Sequence, residues 1–538
     1  MSKHLFLGDE AIAQAALDAG LSGVYAYPGT PSTEITAFIQ NSKQAIEGNV
    51  HREWSCNEKT AMEAAIGMSY AGKRAMVCMK HVGLNVAADP FMNVAITGAN
   101  GGFVIIVADD PSMHSSQDEQ DSRYYGKFAF IPIFEPSNQQ EAYNMTYEAF
   151  DYSEKYKIPV MVRITTRLAH SRAGVERREI RPQNEIKLHP NPKQFILLPA
   201  LARKYYSELL NKQPDFENES ENSKYNSYFT GKDTSMGIIT SGIAYNYLME
   251  NYVGTECPYP ILKITQYPLP VKKIAALVDE CDSVLVLEEG YPLIEEQLRG
   301  LLNRTGKIKG RLDGTVPRMG ELNPNIVGVA LGIPQHEGSP VPEVVTPRPP
   351  ALCVACPHID SYFALNEAME PHGKGKVFAD IGCYTLGALP PYNAIYTTVD
   401  MGASITMAKG AADAGLLPAV AVIGDSTFTH SGITSLLDAV CENTPMTVLI
   451  LDNNTTGMTG GQDSSASGRI ESICRGLGIE QEHIRIIKPL KNQHEINVQI
   501  MKEEIAYQGV SVIIPTRECI QTLNKKMRAK KTNQQINK

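Results

Sequence analysis

The sequence predicts an α/β protein of three open, mostly parallel-sheet domains, and three observations predict it. Short apolar, β-branched runs alternate with amphipathic stretches over residues 1–185, the pattern of βα units around a parallel sheet. The alternation resumes twice, once after a polar stretch that ends near Ser235 and once after a proline-rich run from Gly338 to Pro350. A chain of 538 residues also exceeds what one hydrophobic core holds. Composition narrows the class further. Hydrophobic residues at 43% and charged residues at 20% are those of an ordinary globular protein. A formal charge of −9 argues against a nucleic-acid partner, because phosphate binding calls for a basic face and the basic residues cluster only in the terminal stretch Lys525 to Lys531. Asp9 and Glu10 stand where a signal peptide needs an apolar run, and no apolar stretch approaches the roughly 18 residues of a membrane span, so a cytoplasmic protein without a membrane partner is expected. Ten irregularly spaced cysteines point to free thiols or a metal site rather than to a disulfide framework.

In residues 1–185, Val24 to Tyr27, Ala75 to Met79, Phe103 to Val107 and Val160 to Ile164 are predicted as buried strands. Asp9 to Ala19 is predicted as a helix with Asp9 as N-cap, Ile12, Ala15, Ala16 and Ala19 on its apolar face, and Gly20 as its stop. Residues 186–235 form an expected exposed connector, because Asn211 to Ser235 is rich in Asn, Glu, Ser and Lys. A second α/β domain at 236–337 has strands at Met236 to Thr240 and Ser283 to Glu288. A stiff linker spans 338–350. The third domain, 351–520, has strand candidates at Val377 to Asp380, Ile395 to Val399, Ala419 to Ile423, Thr447 to Leu451 and Val510 to Ile514, and 521–538 is an expected polar, basic tail.

The strongest local signal is Ala419-Val-Ala-Val-Ile-Gly-Asp-Ser426, followed after a helical stretch by Thr447-Val-Leu-Ile-Leu-Asp-Asn-Asn454. In open parallel sheets ligands gather at the carboxyl ends of strands, so Asp425 and Asn453 are expected side by side at one crevice. A hard cation bridging a diphosphate needs oxygen ligands, and Asp425, Asn453 and the Thr455 carbonyl would supply three to Mg2+. Gly424 permits close backbone approach, and Gly457, Gly460 and Gly461 make the following segment a loop able to wrap phosphate. A strand-end aspartate beside an Asn-rich turn is the structural alternative. The pattern resembles the thiamine-diphosphate motif Gly-Asp-Gly…Asn-Asn, with Ser426 in place of the last glycine. Its continuation, Thr455-Thr-Gly-Met-Thr-Gly-Gly-Gln462, is similar to the 2-oxoacid:ferredoxin oxidoreductase family. On that resemblance Gly424, Asp425, Ser426, Asn453, Thr455, Gly457, Met458 and Thr459 would bind thiamine diphosphate and Mg2+, and the first and third domains would be thiamine-diphosphate-binding folds flanking a transketolase C-terminal-like domain.

Such a cofactor also needs a carboxylate at its pyrimidine ring. The resemblance assigns that role to Glu58, in Trp54-Ser-Cys-Asn-Glu-Lys-Thr-Ala-Met-Glu63, where an Ala-rich helical stretch begins; Glu53 and Glu63 are competitors, and a surface carboxylate at a helix start is the plain alternative. Tyr27-Pro-Gly-Thr-Pro-Ser-Thr33 resembles the family's substrate loop and gives Thr30 a substrate contact. Met79-Lys-His-Val-Gly-Leu-Asn85 and His114-Ser-Ser-Gln-Asp-Glu-Gln-Asp-Ser-Arg123 are similar to the indolepyruvate branch. Glu58, Thr30 and His81 are the candidate catalytic residues. Lys80, His81, His114 and Arg123 are each placed to bind a carboxylate or move protons, or else to serve as hydrogen-bonded structural residues.

Cys353-Val-Ala-Cys-Pro-His358, Asp380-Ile-Gly-Cys383 and Pro515-Thr-Arg-Glu-Cys519 resemble the cluster-binding cysteines of the family, so Cys353, Cys356, Cys383 and Cys519 would hold a [4Fe–4S] cluster. A zinc half-site or buried thiols are the alternatives for one Cys-x-x-Cys. The resemblance extends through Ile239-Thr-Ser-Gly-Ile-Ala-Tyr-Asn and Val286-Leu-Glu-Glu-Gly in the middle domain. It implies oxidative decarboxylation of an arylpyruvate to an acyl-CoA, with electrons passed to ferredoxin. The implied partners are a smaller beta subunit, a ferredoxin or ferredoxin-like subunit, the 2-oxoacid and coenzyme A, in a hetero-oligomer with two copies of this chain. Large subunits of the indolepyruvate type usually continue into a ferredoxin-like domain with repeated Cys-x-x-Cys motifs, and this sequence shows none after Cys519. A non-oxidative decarboxylase and a non-catalytic subunit remain the rival readings.

Overall fold

The computed structural model describes residues 3–302, 306–334, 338–346 and 348–536, with side chains described to residue 529. Pro347 of the expected linker and the last two residues of the expected tail lie outside the described residues. The chain divides into two compact units, Met1–Ser339 and Pro340–Lys538.

The first unit holds two large sheets and a two-stranded antiparallel pair, His4–Leu7 with Arg172–Val175. The larger has six strands in the order Gln266–Tyr267, Ile133–Phe134, Val160–Thr165, Phe103–Asp109, Ala75–Lys80, Gly23–Ala26. All neighbours are parallel except the first pair. Its central strands are buried on both faces, which explains why they read as unbroken Val/Ile/Met runs. The helix Gly8–Asp18 packs on this sheet. Its N-cap is Leu7 rather than the expected Asp9, because Glu10 reaches back to accept the Leu7 N–H at 2.8 Å and leaves Asp9 buried in the first turn. The second sheet runs Ile308–Lys309, Val284–Leu287, Gly237–Ser241, Ile261–Ile264, Tyr228–Phe229, with only the last strand antiparallel.

The expected connector is more ordered than its polarity suggests. Helices Pro199–Asn211 and Gln213–Glu221 form there, and Tyr205, Leu209 and Phe216 are buried anchors that the surrounding Asn, Glu and Lys residues mask in the composition. Asn226 then fastens the segment, donating to the carbonyls of Ser220 (3.1 Å) and Gln266 (2.9 Å).

A buried ionic network joins the two sheets of this unit. Arg163 pairs with Asp109 (2.8 Å) and Glu135 and donates to the Glu289 carbonyl (2.9 Å), while Arg123 pairs with Asp121 and Glu288 (3.0 Å). Glu289 accepts from the Thr165 hydroxyl and the Leu322 N–H, both at 3.1 Å, yet burial, and then Glu321, push its pKa up to about 7. A carboxyl whose folded pKa exceeds its unfolded value contributes stability that is present below the ordinary carboxylate range and is lost as pH rises through about 7. Glu289→Gln keeps the shape and removes the charge. It is expected to stabilise the chain at pH 8 by about 1–3 kcal/mol and to change it little at pH 5, as read by thermal melts at the two pH values.

The second unit is built on one parallel sheet ordered Val377–Ala379, Ala419–Gly424, Met446–Leu451, Val510–Pro515, Ile484–Ile487. The expected strand Ile395 to Val399 does not form. Residues 394–397 run beside the edge strand, but the Thr397 hydroxyl takes the backbone's place, accepting the Ala379 N–H (3.0 Å) and donating to the Ala379 carbonyl (3.1 Å). The strand Ile484–Ile487 was not expected; it lies at the opposite edge with Ile486 exposed. Residues Ile520–Ile536, expected as a tail, form a helix. Among the described residues no helix is long and apolar enough to cross a membrane.

Candidate functional site

In the first unit, Thr30, Glu58, Lys80 and His81 come together at the carboxyl ends of the strands Gly23–Ala26 and Ala75–Lys80. Glu58 is the first residue of helix Glu58–Tyr70, where the Asn57 side chain accepts the Thr60 N–H at 2.8 Å and fixes the start of the helix. Glu58 is 5% exposed, whereas Glu53 is exposed and Glu63 is exposed and paired with Lys59. A carboxylate is buried at such a cost only for a reason. The Glu58 carboxylate lies directly on Gly83, where an added Cβ would stand 2.6 Å from Oε1. Gly83 is therefore required for the carboxylate to occupy this position.

Lys80 ends its strand with its stem against Gly29, 3.3 Å from the position of a Cβ there, and donates from Nζ to the Ser115 carbonyl at 3.0 Å. Burial lowers its pKa, and the nearby Asp110, Glu58 and Asp118 oppose that shift. The Ser115 hydroxyl in turn donates to the Thr30 carbonyl at 3.3 Å, which ties the Thr30 loop to Lys80. His81 is buried at the start of helix His81–Val86; its Nε2 lies 3.3 Å from both the carbonyl and Oδ1 of Asp118, and its Nδ1 has no hydrogen-bond partner. With Nε2–H donating, Nδ1 is a buried lone pair free to take a proton. Asp110, Ser115 and Asp118 were not singled out from the sequence, although Asp109-Asp110-Pro111 directly after an apolar strand marks Asp110, and Ser115 and Asp118 lie within the His114 to Arg123 segment.

Two of the residues left open lie elsewhere. Arg123 is fully buried in the internal network, with partners Asp121, Glu135, Glu288, Ser241 and Tyr267. His114 is half exposed and pairs with Glu321 at 3.2 Å.

In the second unit, Asp425 follows the strand Ala419–Gly424 and Asn453 follows Met446–Leu451, neighbours in the sheet with Gly424 opposite Leu451. Both side chains are buried. Asp425 Oδ1 accepts the Ser426 N–H at 2.7 Å; Oδ2 is buried and makes no hydrogen bond of proper geometry, although the Ser464 hydroxyl lies near enough to favour the charged form. Burial, and then Asp452, push the Asp425 pKa up to about 7. Asn453 Oδ1 accepts the Thr455 N–H at 3.1 Å and keeps a second lone pair. An orphaned buried carboxylate oxygen beside an amide oxygen suits a hard divalent cation.

The loop beyond Asn453 is a small hairpin, Thr455–Thr456 against Gln462–Asp463, closed by the Thr459 hydroxyl donating to Gln462 Oε1 (2.6 Å) and Gln462 Nε2 donating to the Thr459 carbonyl (2.6 Å). Ser426 and Thr456 share a hydroxyl contact of 2.9 Å, so the hairpin base sits over the Asp425 turn, while Gly457 and Met458 are exposed at its tip. Gly424 also has a packing reason. A Cβ there would stand 2.6 Å from the Tyr384 ring, whose hydroxyl bonds to buried Asp380. Asp380 also accepts the Ser404 hydroxyl (2.6 Å), and burial pushes its pKa up to about 6. Asp380, Tyr384 and Asp452 were not singled out from the sequence.

The four cysteines meet in this unit. Cys356 N–H bonds to the Cys353 carbonyl (3.0 Å), Cys519 N–H bonds to the Asn453 carbonyl (3.1 Å), and the Cys383 sulfur lies 3.8 Å from Asn453 Nδ2 and 3.2 Å from His358 Nε2. Burial raises the Cys383 thiol well above its ordinary range, and Cys356, Cys519, Asp425 and Cys353 add to the rise. Burial likewise pushes Cys356 up to about 11. Among the described residues, side-chain groups whose ligand atoms crowd within 4.8 Å occur at Asp9, Glu34 and His170 and at Glu480, Glu482 and His483.

Comparisons with known proteins agree with this division. Residues 14–208 match the family model described as pyruvate flavodoxin/ferredoxin oxidoreductase, thiamine diphosphate-binding, and residues 380–511 match that of the thiamine pyrophosphate enzyme C-terminal TPP-binding domain. Indolepyruvate oxidoreductase subunit IorA of Archaeoglobus fulgidus is 39% identical over 546 residues, covering 96% of this chain and 86% of that protein. Its counterpart in Methanothermobacter marburgensis is 38% identical over 541 residues, covering 96% and 86%. The 2-oxoglutarate synthase subunit KorA of Methanocaldococcus jannaschii is 31% identical over 183 residues, covering 32% of this chain and 49% of that protein.

Proposed function

Because the chain belongs to the thiamine-diphosphate-dependent 2-oxoacid:ferredoxin oxidoreductases, in the group of the indolepyruvate oxidoreductase IorA subunits, we propose that it oxidatively decarboxylates an arylpyruvate. The 2-oxoacid and coenzyme A give an acyl-CoA and carbon dioxide, and two electrons leave singly through a [4Fe–4S] cluster to a ferredoxin or ferredoxin-like subunit. The relatives are named as subunits, so a partner subunit is implied; in this reading it is a smaller beta subunit, in an assembly with two copies of this chain.

Asp425, Asn453 and the Thr455 carbonyl would hold Mg2+, with Gly424, Ser426, Gly457, Met458 and Thr459 around the diphosphate; the unpartnered Asp425 Oδ2 supports the fit. Thiamine diphosphate, when bound, supplies a carbon nucleophile for the ketone and an electron sink after decarboxylation. Glu58 supplies its carboxylate at the pyrimidine side and exchanges a proton there. His81 accepts or returns one at Nδ1, Lys80 supplies positive charge beside Glu58, and Thr30 contacts the 2-oxoacid.

The observation that carries the oxidative reading is the meeting of four thiols at Asn453, one of the two residues assigned to the diphosphate cation.

The test is an anaerobic assay of the chain with its partner subunit on indolepyruvate, phenylpyruvate and pyruvate, with coenzyme A and ferredoxin. The expected result is aryl acyl-CoA formation with stoichiometric ferredoxin reduction, slower with pyruvate. Aldehyde release with no reduced acceptor would establish a non-oxidative decarboxylase instead, and no turnover together with no calorimetric binding of thiamine diphosphate a non-catalytic subunit.

A further inference from the structure

The first unit contains a group of ligand-type side chains that the proposed chemistry does not use. Asp9 is wholly buried in the first turn of helix Gly8–Asp18, and neither of its carboxylate oxygens makes a hydrogen bond. The charges facing it belong to Glu34 and Glu10, both negative, and Glu10 is itself paired with Arg172. Glu34, the second residue of helix Thr33–Asn41, has a buried Oε2 without a hydrogen-bond partner, 3.6 Å from His170 Nε2. His170 ends helix Thr166–His170. One ligand atom from each of Asp9, Glu34 and His170 lies within 4.8 Å of the other two.

A buried carboxylate with no donor and two like charges nearby must be compensated by a proton or a cation. A proton on Asp9 satisfies one oxygen and leaves the others as they stand. A cation among the three groups satisfies Asp9 together with the Glu34 oxygen and the His170 nitrogen that already pair at 3.6 Å. Two carboxylate oxygens and one imidazole nitrogen suit a transition ion, since Mg2+ and Ca2+ favour all-oxygen surroundings. We propose that Asp9, Glu34 and His170 form a binding site for a divalent transition-metal ion of the manganese or zinc class, built from residues other than those assigned to the cofactor. The ion ties the starts of two helices to the end of a third. Thr30 lies three residues before the second of those helices, so the ion braces the loop that carries Thr30.

The test uses the full chain, stripped with chelator and kept free of thiamine diphosphate, titrated with Mn2+ alone while electron paramagnetic resonance follows the free ion. The parent is expected to take up about one equivalent that Asp9→Asn and His170→Gln each abolish, while their circular dichroism matches the parent's. Asp425→Asn, which alters the diphosphate-side carboxylate, is expected to keep that equivalent. His170 is partly exposed, so its variant preserves the test should Asp9→Asn fail to fold. Uptake that survives in both Asp9→Asn and His170→Gln, or is lost only in Asp425→Asn, overturns the proposal. A parent that binds no Mn2+ overturns it too; if its Asp9→Asn variant also melts at higher temperature, a buried proton, not an ion, compensates Asp9.

Discussion

Glu58→Gln is expected to reduce turnover by about 10²- to 10⁴-fold, the usual scale for removing a positioned acid–base group, while calorimetry still detects thiamine diphosphate binding. The substitution is isosteric, so the packing on Gly83 and the Asn57 cap of the helix are retained. What is lost is a negative charge in a nearly closed position, beside a lysine whose own charge burial disfavours. Removing that charge takes a favourable neighbour from Lys80, so the amine's pKa is expected to fall further, and the alkaline limb of the residual pH profile should move to lower pH with it. A companion substitution separates position from charge. Gly83→Ala leaves the carboxylate in place chemically but sets a methyl group 2.6 Å from Oε1, so the side chain must move. Activity is expected to fall in Gly83→Ala by at least about tenfold with no change in net charge. If Glu58→Gln turned over at the parent's rate, Glu58 would be a structural carboxylate, and the assignment of the pyrimidine side would fail with it.

The two halves of the candidate site differed in how much of them could be read from the primary structure, and the reason is local against non-local information. Asp425 and Asn453 sit one turn beyond strands made of unbroken apolar residues, and the parallel pairing of Gly424 with Leu451 places them as neighbours without further help. Glu58 was legible through its helix start, but its distinction from Glu53 and Glu63 is burial, which depends on Gly83 across the fold. Lys80, His81, His114 and Arg123 looked alike as charged residues in similar motifs. Only tertiary contacts separate Arg123, sunk in an ionic network, from Lys80 and His81 at the crevice. Ile395 to Val399 has the composition of a strand, yet a single hydroxyl at Thr397 takes over the edge bonds. The helices after residue 198 were hidden for the opposite reason. Their few buried anchors, Tyr205, Leu209 and Phe216, are outnumbered by polar residues facing solvent.

Cys383→Ser is expected to abolish the broad visible absorption of an iron–sulfur cluster in anaerobically purified protein and to bring ferredoxin reduction to background. Of the four cysteines, Cys383 is the one whose sulfur lies beside the Asn453 side chain, and burial, then Cys356, Cys519, Asp425 and Cys353, raise its thiol well above the ordinary range. Without metal, burial, and then Cys356, Cys519, Asp425 and Cys353, oppose ionisation of the Cys383 thiol. Bound iron reverses that balance, because each thiolate is then paired with a cation and the proton is expelled. Cys441→Ser provides the control, since Cys441 is an exposed cysteine outside the quartet and its replacement is expected to leave both absorption and electron transfer unchanged. The sharpest reading comes from the substrate side: carbon dioxide release that persists in Cys383→Ser while acceptor reduction disappears would separate the carbon chemistry from the electron path. Acceptor reduction at the parent's rate in protein shown to lack iron would instead remove the cluster from the mechanism and leave the four thiols without a redox role.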